Sequence, residues 1–76
     1  MSTAVQYNFS VGANKESKDN NGWTPLIWAS VNGHLAVIQY LIFVGANKDA
    51  KDNDGRTPLS VSGGKVRDYL ISIGAK

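Results

Sequence analysis

Few residues of this chain could do covalent or metal chemistry, and none has the neighbours that such chemistry needs. His34 is the one histidine. As a metal ligand or general base it would need partners, and no cysteine, histidine or carboxylate stands at ligand spacing. A turn histidine that hydrogen-bonds backbone is the plainer reading. Ser62-Gly63-Gly64-Lys65 hints at a phosphate loop. That loop needs a glycine four residues before its Gly-Lys pair and Ser or Thr after the lysine. Leu59 and Val66 hold those positions, so the motif fails twice and a flexible connector reads better. Asn8-Phe9-Ser10 matches a glycosylation sequon, but no secretory signal is visible and the match reads as chance. Lys15, Lys18, Lys48 and Lys51 could suggest nucleic acid. Glu16, Asp19, Asp49 and Asp52 sit beside them, so a solvated, self-compensating face reads better.

Composition narrows the field further. The chain has 76 residues, room for one small domain whose compact core would be marginal. It has no cysteine, which excludes disulfides and thiolate metal sites. Eight Lys and Arg against six Asp and Glu give a net charge of +2 with interleaved signs, so no basic block stands out. Hydrophobic residues make up 42% of the chain, enough for a folded rather than a disordered one. The longest apolar run, Tyr40 to Val44, is far too short to span a bilayer. With no targeting or lipidation segment, the expectation is a soluble intracellular, cytoplasmic chain without cofactor or metal.

The elements that position these residues follow from a repeat. Residues 19–26 read DNNGWTPL and residues 52–59 read DNDGRTPL, 33 residues apart. Sliding residues 5–26 onto 38–59 gives 14 identities in 22 positions. A second register, at a shift of 29, matches Val37, Tyr40, Leu41, Ile42, Gly45 and Ala46 with Val66, Tyr69, Leu70, Ile71, Gly74 and Ala75. The last copy has therefore lost four residues between Leu59 and Val66. The spacing divides the chain into the tail of one repeat (1–17), a complete repeat (18–50) and a shortened one (51–76). Tyr7, Tyr40 and Tyr69 hold one recurring position, which argues for packing rather than chemistry.

Within the complete repeat, Thr24 suits an N-cap and Pro25 suits the first helical position. Leu26 and Ala29 then share a face, and Asn32-Gly33 ends a short helix over roughly 25–31. A second helix is expected from about Leu35 to Phe43, with Val37, Ile38, Leu41 and Ile42 as its apolar stripe and Gly45 closing it. Two helices joined so tightly must lie antiparallel. Gly45 to Gly55 is polar and reads as an extended loop with a hairpin-like tip at Asn53-Asp54-Gly55. Such a unit cannot bury its stripe alone and must stack on copies of itself as an all-α solenoid.

These features together resemble the ankyrin repeat family over essentially the whole chain. Asp19, Gly22, Thr24, Pro25, Leu26 and Ala29 fit the family's opening; Gly33, His34 and Leu35 fit its helix-to-helix turn; Gly45 and Ala46 fit its close. The departures are informative. Ile27 and Ser60 stand where the family has histidine, which removes a common hydrogen bond around the Thr-Pro turn. Asn8 stands at a core position held by Leu41 in the complete repeat. The deletion through Leu59–Lys65 is expected to shorten or unwind the last first-type helix. Phe43 and Val44 occupy commonly polar positions. The mid-repeat start looks like truncation of a longer array.

The resemblance implies a non-catalytic protein–protein interaction module that binds through loop tips and first-helix faces. Carried over by position, the candidate contacts are Lys18, Asn20, Asn21 and Trp23 at one tip, and Lys51, Asn53, Asp54 and Arg56 at the next. Val31 and Asn32 supply the helix contribution. Trp23 has two readings, an exposed interface anchor or a ring folded back on the neighbouring loop. Trp28 is expected to pack between repeats. The partner would be another protein, with no nucleic acid or membrane. The alternative is a C-terminal capping segment of a longer array. With fewer than three full repeats, the chain is expected to be marginally stable or to self-associate through its exposed N-terminal stacking face.

Overall fold

The computed structural model describes residues 15–76. The first partial repeat up to Asn14, with Tyr7, Asn8 and the Asn8-Phe9-Ser10 sequon, lies outside the described residues. Among the described residues there are three α-helices and no strand: α1 Pro25–Asn32, α2 Leu35–Phe43 and α3 Gly64–Ser72.

Helix α1 starts where Thr24 leaves extended backbone and its Oγ1 accepts the Ile27 N–H at 3.3 Å. Pro25 follows, where no donor is needed. The helix stops at Gly33, whose φ of 72° suits a residue without Cβ, and the His34 N–H then closes on the Ala29 carbonyl at 2.9 Å. The same closure recurs from Ala46 to Leu41 and from Ala75 to Leu70, each at 3.0 Å. The Gly-Ala signature is therefore a helix stop in which a buried alanine meets a buried leucine one turn back.

Only Gly33 and His34 separate α1 from α2, so α2 folds back on α1, and α3 packs on α2 in turn. One core runs through both repeats: Leu26, Ala29, Ile38, Leu41, Ala46, Val66, Leu70 and Ala75. Each large side chain buried there contributes roughly 1.5–3 kcal/mol. Val37 and Ile42 pack partly against it, as do Trp28 and Tyr69, whereas Tyr40 stays 44% exposed.

The shortened repeat departs from its neighbour where the four residues are missing. Pro58–Val61 form only a turn, held by Val61 N–H to the Thr57 carbonyl and Ser62 N–H to the Leu59 carbonyl, both 3.2 Å. Ser60 and Thr57 satisfy one another instead. The Ser60 hydroxyl accepts the Thr57 N–H at 2.8 Å, and Thr57 Oγ1 accepts the Ser60 N–H at 3.2 Å. This is the reciprocal logic of a capping box without a helix to cap.

Two expectations need correction. Gly64 and Lys65 are not connector; they form the first turn of α3, and the connector ends at Gly63. The His34 side chain does not bond backbone either. Its ring lies on Trp28, centroids 5.1 Å apart, because the tight turn between α1 and α2 brings the two side chains together.

Candidate partner-binding surface

The two loop tips are built by the same device. Asp19 Oδ1 accepts the N–H groups of Asn21 and Trp23, each at 2.9 Å. Asp52 Oδ1 accepts those of Asp54 and Arg56, each at 2.8 Å. A second closure pairs Asp19 N–H with the Trp23 carbonyl at 3.1 Å, and Asp52 N–H with that of Arg56 at 2.9 Å. The carboxylate mimics a backbone turn, which is why Asp opens each phrase.

Consecutive tips are bolted together. The Asn53 backbone N–H reaches the Asn21 carbonyl and its side-chain amide reaches the Asn20 carbonyl, both at 3.0 Å. The approach is so close that a Cβ on Gly22 would stand 2.7 Å from the Asn53 nitrogen. Below the tips, Glu16 Oε2 accepts the Asn47 N–H at 2.8 Å, and Asp49 Oδ1 accepts the Lys76 N–H at 2.8 Å. These two bonds are one relationship seen twice, since Glu16 aligns with Asp49 and Asn47 with Lys76 in the two registers.

Trp23 turns inward to the next loop. It is half-buried, and its indole N–H donates to Asp52 Oδ2 at 3.0 Å. Arg56, at the equivalent position, folds back on its own loop. Its Nε donates to Asp52 Oδ2 at 2.8 Å and its Nη2 to Asp54 at 2.9 Å. Burial by itself raises the Asp52 pKa. The bonds from the Arg56 backbone and side chain, the Asp54 backbone and Trp23 outweigh it and hold the carboxyl at about 2, below its ordinary 3.8.

Of the ten candidate contacts, Lys18, Asn20, Asn21, Lys51, Asn53, Asp54 and Arg56 are exposed on the two loops. Trp23 joins them through Asp52. Val31, 42% exposed, and Asn32, which donates to the Trp28 carbonyl at 2.9 Å, lie at the far end of α1. That end is about 10 Å along the helix from Pro25 at 1.5 Å per residue. Sequence reading did not assign the struts Glu16 and Asp49, nor the bond that ties Trp23 to Asp52. The signal of the struts was present as acids recurring at one repeat spacing, and charge counting absorbed it.

Among the described residues no three His, Asp or Glu side chains gather to hold a metal. No helix among the described residues is long and apolar enough to cross a membrane. Every buried side-chain nitrogen or oxygen of the described residues has a hydrogen-bond partner.

A helix pair, a third helix matching its second member, and polar loops and helix stops that recur along one core define an all-α repeat protein. A family model for ankyrin repeats, in three copies, matches residues 1–76, and the chain belongs to the ankyrin repeat family. Comparison with curated proteins found no match to this chain. Ankyrin repeats are generally protein–protein interaction modules and typically non-catalytic.

Proposed function

We propose that this chain binds a protein partner through its row of loop tips and the exposed end of α1, with the repeat boundaries at 17/18 and 50/51. The observation that carries this reading is the division of labour within the tips. Asp19 and Asp52 make the same bonds in both copies, whereas Asn21 and Asp54, or Trp23 and Arg56, differ on that common frame. Bonds between the tips fix their order before any partner arrives, which lowers the entropy lost on association. The test is capture of a partner on the immobilised full chain, identified by cross-linking, repeated with Arg56→Ala and with Val31→Asp. Loss of the cross-linked partner with unchanged circular dichroism supports the reading. Retention by both variants overturns it.

Two observations favour a second reading, a capping segment. Arg56 closes onto its own loop where Trp23 reaches the next, and Pro58–Val61 is a turn instead of a helix. If capping is the role, truncating Leu70 shortens the life of a longer array, and the tip substitutions leave binding unchanged.

A further inference from the structure

An open cleft of about 660 Å³ lies between the two loops, with Thr24 and Ala50 in its lining and Lys18, Lys51, Glu16 and Asp49 around them. Counted as formal charges, the four cancel. Their bonding is unequal. Glu16 accepts the Asn47 N–H and Asp49 the Lys76 N–H, so both carboxylates are held in place by backbone. Lys18 and Lys51 are exposed and form no ion pair with any described residue. The remaining acids of the loops are engaged too: Asp19 and Asp52 by turn amides, and Asp54 by Arg56. These bonds fix the acids in position with their charge intact, and leave the Lys18 and Lys51 ammonium groups, one repeat apart, without an ion-pair partner among the described residues.

We infer that the cleft receives an extended acidic segment of the protein partner, two of whose carboxylates, set apart along the segment, meet Lys18 and Lys51. This deepens the binding reading above and rests on it. The alternation of sign selects the class of ligand. A peptide can place carboxylates at the lysines and neutral residues opposite Glu16 and Asp49. The continuous phosphate row of a nucleic acid cannot avoid those two acids, which act as a repulsive filter.

The test is selection of random peptides on the full chain, followed by fluorescence polarisation of the enriched peptides. The expected winners carry two separated Asp or Glu residues and lose binding when these become Asn or Gln. Lys18→Gln with Lys51→Gln weakens them roughly tenfold, the scale of two exposed charge pairs, with an unchanged thermal midpoint. Lys65→Gln with Arg67→Gln, an equal loss of charge on α3, leaves affinity unchanged. Winners without acids, or winners indifferent to the Lys18 and Lys51 changes, overturn the cleft assignment and leave the binding surface standing. Enrichment of nothing overturns the cleft assignment, and the partner capture described above then decides the binding surface by itself. Oligothymidylate that binds more tightly than any acidic peptide overturns the choice of a protein segment.

Discussion

Trp23 donates its indole N–H to the carboxylate of Asp52, 3.0 Å away on the following loop. The bond makes one repeat's tip depend on the next repeat's turn, because the same carboxylate also holds the Asp54 and Arg56 amides. Replacing Trp23 with Phe keeps most of the buried ring and removes the donor. The expected outcome is a lower urea midpoint for Trp23→Phe and a still lower one for Trp23→Ala, which also loses ring burial. Circular dichroism follows both, since the probe survives the loss of the indole. Equal midpoints for Trp23→Phe and the parent chain would show that the bond contributes nothing.

Asp52 also sets an acid limit. Its folded pKa of about 2 lies below the ordinary 3.8, so the unfolded chain binds more protons between those values. The stabilisation from the charged carboxylate is fully present above 3.8 and is lost as pH falls to about 2. Urea midpoints of the parent chain are expected to drop across that window more steeply than those of Asp52→Asn, which is less stable above it. Parallel acid limbs for the two proteins contradict the assignment.

The helices were legible because local rules suffice for them. Thr24-Pro25, Gly33 and Gly45 state where they start and stop, and α1 and α2 end within a residue of the expected bounds. Where Trp23 points was not legible. Its ring reaches a carboxylate 29 residues later, and only the stacking of loops decides that the donor meets Asp52 instead of solvent. The unpaired state of Lys18 was hidden for a related reason. Counting charges assigns each lysine to the acid beside it, whereas Asp19 spends an oxygen on the amides of Asn21 and Trp23. The start of α3 was obscured by Gly63-Gly64, which looks like a connector; the apolar burial of Val66 and Leu70 draws the helix back over it.

Gly22 and Gly55 separate backbone strain from inter-repeat contact. Both have positive φ, 78° and 79°, so alanine is strained at each, by roughly 1–2 kcal/mol. A Cβ at Gly55 meets nothing within 4 Å, whereas one at Gly22 collides with the backbone and side chain of Asn53. Gly22→Ala is expected to cost at least about 1 kcal/mol more than Gly55→Ala in urea unfolding, the scale of a forced shift in packed structure. Equal costs would mean that the tips separate freely and the bolted row does not exist.

Leu41 and Phe43 lie two residues apart in α2 and answer opposite questions. Leu41 is fully buried at the centre of the shared core, and Leu41→Ala is expected to cost about 2–5 kcal/mol. Phe43 is 85% exposed, and the equivalent residue of the last repeat is Ser72, so Phe43→Ser is expected to change stability by less than about 0.5 kcal/mol. Its effect should appear in association instead. Phe43 and Val44 leave apolar surface outside the core, which favours contact between copies at high concentration. Sedimentation of the parent chain is expected to rise with concentration and that of Phe43→Ser to stay flat. If the two chains sediment alike while self-association persists, the contact lies elsewhere, and Ile71, 52% exposed on α3, becomes the residue to mutate.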